Sequence, residues 1–165
     1  MKRTLVATTG LAALALTALA APAPAEAQYR QKISNNPAKC AAGTGPAVRV
    51  TVTDIRESTG TMRVQSYRGT KEDWLEKGKW IYRMEAPAKA GSMSFCMPLP
   101  RPGTYAIAVR HDINGNGSTD IFTDGGAMSN NPSINIFNLG KPSYKKTAFE
   151  VGSGVESISI RMRYR

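Results

Sequence analysis

The sequence predicts an all-β domain: a seven-stranded antiparallel β-sandwich with one short helix and one long loop. Three observations lead there. Seven short segments alternate apolar and polar residues with period two, turn-forming residues separate them, and no heptad, internal repeat or helix-period stripe occurs. Short alternating strands at this spacing are the pattern of a sandwich rather than of a parallel α/β sheet.

The chain opens with Lys2 and Arg3, an apolar run from Leu5 to Ala20, and Ala25-Glu26-Ala27 before Gln28. That order reads as a secretory signal peptide over residues 1–27. The run is short for a membrane span, and Pro22 and Pro24 follow it at once, so no membrane-spanning segment is expected. A lipid anchor needs a Cys beside the cleavage point, and the first is Cys40. The sequence therefore predicts a periplasmic or extracellular protein. Cleavage leaves 138 of the 165 residues, one domain's worth, and takes only +1 from the net charge of +10. A basic exported chain is attracted to anionic envelope components or to another envelope protein; a solvated, solubilising surface is the plainer reading. Export argues against nucleic acid as the partner.

Residues 28–46 are rich in Pro, Ala and Gly and read as an extended arm, with the sandwich domain over 47–165. Cys40 and Cys96 are the only cysteines, and in an exported chain they predict a disulfide. It would close a loop of roughly 55 residues, worth about 4 kcal/mol by loop entropy.

The strands follow in order. Val48, Val50 and Val52 alternate with Arg49, Thr51 and Thr53; Met62 and Val64 continue to Tyr67. Residues 69–78 (GTKEDWLEKG) are the one helix-like piece. Trp80, Tyr82 and Met84 form the third alternation, and Met93, Phe95 and Met97 the fourth. After a turn with three prolines, Tyr105, Ile107 and Val109 face one way and Ala106 and Ala108 the other. Phe149 to Val151 is short. Ile158, Ile160, Met162 and Tyr164 alternate with residues that include Arg161 and Arg163. Those arginines, with Arg165, are a positive stripe on a central strand or protection on an edge strand.

The stretch His111 to Asp124, HDINGNGSTDIFTD, carries the candidate site. Asp112, Asn114, Asn116, Ser118 and Asp120 place oxygen-bearing side chains at every second position, with Gly117 sixth from Asp112 and Asp124 as a further carboxylate. Calcium takes six to eight oxygens on a sharply bent backbone, and these positions resemble the calcium loops of EF-hands and dockerin repeats. Position twelve is Thr123 rather than a bidentate Glu, so a Ca2+ site here would be weak, on the order of 0.1–1 mM. The other reading is a loop held by Asx-turns without an ion. His111, the single histidine, is a core-edge residue, or a general base or metal ligand beside Asp112. No second ligand or nucleophile accompanies it, so neither zinc nor a catalytic triad is expected. The loop over 112–146 also carries Ile134, Ile136, Phe137 and Leu139, which pack on the domain itself or on a partner. Asn116-Gly117-Ser118 matches a glycosylation acceptor, relevant only in a eukaryotic secretory route.

PGTYAIAVRHDINGNGSTD, then SNN at 129–131, GKPSYKKTAFEVG and ISIRMRY follow one another in fixed order. Together they resemble the bacterial domain-of-unknown-function family 2141, over Val48 to Tyr164. The resemblance implies an exported Ig-like sandwich of the transthyretin or carboxypeptidase-regulatory type, and implies no activity, substrate or catalytic residue. The functions it leaves in play are a non-catalytic ligand- or surface-binding envelope module, a structural accessory domain, and a small hydrolase using His111 and Asp112.

Overall fold

A computed structural model describes residues 29–134 and 140–165. The signal peptide read over 1–27, and Ile136, Phe137 and Leu139 of the long loop, lie outside the described residues. Among the described residues no helix is long and apolar enough to cross a membrane.

Among the described residues nine strands form two sheets. They are β1 (Gln31–Lys32), β2 (Ala47–Ile55), β3 (Thr61–Arg68), β4 (Tyr82–Pro87), β5 (Gly91–Pro98), β6 (Gly103–Asp112), β7 (Gly125–Met128), β8 (Phe149–Val151) and β9 (Val155–Arg161). The larger sheet runs β1-β4-β3-β6-β7, with β8 also on β6; the smaller runs β5-β2-β9. All seven alternating segments are strands. The expected seven-stranded, wholly antiparallel arrangement is not found, because β1 and β7 are added and both sheets are mixed. β1 lies parallel to β4, and β9 parallel to β2. Alternation fixes which face a residue takes and is blind to the direction of the neighbouring strand.

The two sheets share one core. Val48, Val50 and Val52 of β2 and Ile160 of β9 meet Met62, Val64, Ile107 and Val109 from the larger sheet. Each of these is at most 4 % exposed. At about 1.5–3 kcal/mol per buried aliphatic side chain, this contact is the main term holding the sheets together. A second cluster lies on the outer face of the larger sheet: Tyr67, Trp74, Trp80, Ala106 and Met128.

The piece expected to be helical, 69–78, is instead a series of turns. Trp74 N–H reaches Thr70 O at 3.0 Å, but Leu75 takes a φ of +55° and stops the helix after one turn. Tertiary anchoring overrides the local propensity of this stretch. The Trp74 ring meets Tyr67 edge-on at 5.4 Å, and its Nε1 donates to Pro142 O at 2.8 Å. Among the described residues the one α-helical turn, α1, is Tyr144–Thr147, and a 3-10 turn covers Pro37–Cys40.

β7 and β8 share the same edge of β6, and Ser129 fills the gap between them. Its N–H donates to Ile107 O at 2.9 Å, its Oγ accepts from Ile107 N at 3.0 Å, and its hydroxyl reaches Thr147 O at 2.6 Å. β9 is an edge strand of the smaller sheet, as the second reading of its arginines required. Arg161 pairs with Asp54 at 3.2 Å, with both side chains exposed.

The arm is fixed in three ways. β1 pairs with β4, Asn35 bonds both Ser94 O and Cys96 N at 2.9 Å, and Cys40 is disulfide-bonded to Cys96. The bridge spans 56 residues, so replacing both cysteines by alanine should lower unfolding stability by up to about 4 kcal/mol. Urea denaturation of the oxidised protein and the double variant measures this; equal midpoints would show that the arm is held without the bridge.

Candidate functional site

β6 carries two different chemistries on its two faces. Inward, His111 continues the Tyr105–Ile107–Val109 row and is fully buried. Its Nε2 lies 2.8 Å from Thr59 O, which can only accept, so the ring proton sits there. Nδ1 then accepts from the Tyr164 hydroxyl at 2.9 Å, and that oxygen accepts in turn from Arg56 N–H at 3.2 Å. The Arg56 guanidinium covers the Tyr164 ring at 4.3 Å, and burial pushes the Tyr164 hydroxyl pKa up. Gly125 is the floor under this ring: a Cβ there would collide with Tyr164. A general base must reach the proton it removes. Both His111 nitrogens are instead engaged inside the fold, joining the start of β3 to the end of the chain.

Asp112 to Asp124 folds as a compact loop, with Gly115 and Gly117 at φ +69° and +78°. Asn114 Oδ1 accepts from Asn116 N at 3.1 Å, and Asn116 Oδ1 from Ser118 N at 2.7 Å, which are consecutive Asx-turns. Their amide nitrogens converge on Asp120 Oδ2 at 2.8 and 2.7 Å. Those two bonds lower the Asp120 pKa, so the tie is complete above the ordinary aspartate range and is lost only in acid below it. Asp124 is buried and accepts from Ile113 N at 3.2 Å and Asp120 N at 3.0 Å. The Ser118 hydroxyl is exposed and has no hydrogen bond among the described residues.

Arg110 acts as the cation of this loop. Its guanidinium donates to Thr119 Oγ1 and Gly117 O, each at 2.8 Å, and to Asp112 Oδ2 at 3.2 Å. Asp112 Oδ2 also takes Gly117 N at 2.9 Å, while Oδ1 is buried without a partner. The structure thus places Asn114, Asn116 and Asp120 together, Asp112 with Arg110, and Asp124 on the backbone. Among the described residues no three His, Cys, Asp or Glu side chains gather where a metal ion could be held.

The outer face of the larger sheet holds a feature the sequence reading did not single out. Strand register sets Glu85, Arg63, Arg110 and Gly126 in one row across β4, β3, β6 and β7, and Arg163 bridges to Gly126. Arg63 Nε donates to Glu85 at 2.7 Å; its two terminal nitrogens have no partner among the described residues. Arg83, one row along, also faces Glu85 at 3.9 Å and stacks on Trp80 at 4.2 Å. Burial and the neighbouring Arg63 charge lower the pKa of both Arg83 and Arg110, and each has a buried Nε without a partner. Burial also raises Tyr67 to about 12, against the pull of Arg83 and Arg63. Beside this row lies a groove of about 580 Å3, walled by the 119–126 segment and by Ile134 and Gly140. Its lining includes Leu75, Ala108 and Met128, the cations Arg63, Arg110, Arg163 and Arg165, and the carboxylates Asp120 and Asp124.

Residues 50–159 match the model of a family described as uncharacterized protein conserved in bacteria, DUF2141. The chain belongs to this family. The match takes in β3 to β8, most of β2 and β9, and the 112–124 loop; it leaves out the arm with Cys40 and the last residues with Arg163, Tyr164 and Arg165. Neither the curated proteins nor the solved structures compared with this DUF2141 chain include a match.

Replacing His111 by Ala should cost about 2–4 kcal/mol, since it opens a core cavity and strands Thr59 O and the Tyr164 hydroxyl. Tyr164→Phe should cost nearer 1 kcal/mol. Chemical denaturation of both variants checks the order; equal, negligible losses would contradict the network described.

Proposed function

We propose that this DUF2141 protein is an exported, non-catalytic module that binds an anionic envelope component on the outer face of its larger sheet. The observation that carries the reading is the arginine row. Like charges placed directly opposite one another across a strand pair cost stability, and here Glu85 is the one carboxylate facing Arg63. A protein that keeps such a row beside an open groove has a surface complementary to anions. The net charge of +10, reduced by only +1 when residues 1–27 are removed, acts in the same direction at longer range. Export itself is supported by the Lys2–Ala27 pattern and by the disulfide, which persists in oxidising compartments.

The purified protein should be retained by isolated anionic envelope material at low salt and released as ionic strength rises. Arg63→Glu combined with Arg163→Glu should weaken retention at least tenfold without unfolding the domain. Retention that is indifferent to both salt and these substitutions would refute the proposal.

A second reading makes the protein a structural accessory domain whose 112–124 loop is stiffened by calcium. Two observations favour it: the oxygen spacing from Asp112 to Asp124, and the buried Asp112 Oδ1 without a partner. Binding would draw Asp112 away from Arg110. On this reading millimolar Ca2+ raises the melting temperature over a chelator control, by linkage. Asp112→Asn would remove the rise, and identical melts in calcium and chelator would eliminate the calcium loop.

A further inference from the structure

We infer that the groove takes a single-chain amphipathic anion, with its carboxylate or phosphate head on the arginine row and its apolar tail along the sheet. The inference rests on the anion-binding reading above and adds the class of ligand.

The register supplies both halves. Arg63, Arg110, Gly126 and Arg163 form one row across the sheet. Two residues along each strand, and so on the same face, the next row is Arg83, Gln65, Ala108 and Met128. The charged row therefore lies beside a row that is polar on β4 and β3 and apolar on β6 and β7, one strand-repeat away. Gly126 is the gap in the charged row: a Cβ built there meets nothing within 4 Å, and its φ is not in the left-handed region. The gap lies between Arg110 and Arg163, with Arg63 beyond Arg110. An anionic head seated there meets guanidinium groups whose mutual repulsion it offsets.

The tail side is apolar and, among the described residues, open. Leu75, Ala108 and Ile134 are half-buried hydrophobic residues packed against the outer cluster of Trp74, Trp80 and Met128. Above them, Ile121 is 57 % exposed and its neighbour Phe122 75 % exposed, the two large hydrophobic residues most open to solvent among those described. Ile121 lines the groove. At about 580 Å3 the space falls within the range of small-molecule clefts, about 300–1,000 Å3. A mostly apolar lining with a few convergent polar groups at one end is the usual composition of such sites. A polyanion without a tail would leave Ala108, Met128 and Ile121 uncovered, and a neutral lipid would leave the repulsion between Arg63 and Arg110 in place.

Isothermal titration of the full folded protein with sodium dodecanoate, below its micelle concentration, tests the inference. Dodecanoate or dodecyl phosphate should bind. Dodecanol, which lacks the charge, and acetate or inorganic phosphate, which lack the tail, should each bind at least tenfold more weakly. Gly126→Glu sets a carboxylate in the gap without filling the core. It should abolish dodecanoate binding while the circular dichroism spectrum is kept and the melting temperature is equal or higher. Arg63→Gln should weaken binding at least fivefold. Unchanged binding to Gly126→Glu, or equal affinity for dodecanol, would overturn the inference. So would binding to anionic vesicles with none to free dodecanoate, although the anion-binding reading would then stand. Loss of salt-sensitive envelope retention as well would take both away.

Discussion

The register between β3 and β6 is the constraint on which the rest depends. Val64 faces Val109 across this pair, and both are buried in the core between the sheets. A slip of one residue would turn one of them to the solvent side, so the apolar burial fixes the pairing. Fixing it also fixes the alternate residues. Arg63 must lie opposite Arg110, and Gln65 opposite Ala108, on the outer face. The charged row is thus a consequence of the core. Stability in the interior holds a repulsive pair on the surface, and the loop after β6 answers one member of it with Asp112.

The same strand links the groove to the loop. Arg110 leaves β6 on the outer face and bonds Gly117 and Thr119, so its side chain is both the middle of the arginine row and the cation of the asparagine loop. His111, the next residue, points inward and holds the chain's last segment through Tyr164. Tyr164 in turn covers Gly125 at the start of β7. Adjacent residues on one strand therefore position the loop, β7 and the C-terminal segment, which together border the groove.

Much of the fold was legible because burial has a period. Every segment in which apolar residues alternate is a strand, and the Tyr105–Ile107–Val109 face is the buried one. β1 was not legible: two residues, Gln31 and Lys32, hold no period, and the strand exists because β4 offers an edge. β7 reads Gly-Gly-Ala-Met, with too few side chains to alternate. Parallel pairing of β9 with β2 leaves no mark on either sequence. Residues 69–78 have helical propensity, but Trp74 is needed in the outer cluster and the chain bends at Leu75 to deliver it. The loop at 112–124 was visible from its glycines and asparagines, including the Asx-turn alternative, because those contacts are local. The arginine row was not, since Arg63 lies on β3, Arg110 on β6 and Arg163 beyond β9, and they become neighbours only through pairing.

The central claim is that strand register forces Arg63 and Arg110 into a mutually repulsive pair, which an external anion would relieve. A double-mutant cycle on unfolding free energy, with Arg63→Gln, Arg110→Gln and the pair, measures it directly. The account predicts an unfavourable coupling of about 0.2–1 kcal/mol at low salt that shrinks as salt is added. A coupling that is favourable, or that is zero at every ionic strength, would contradict it.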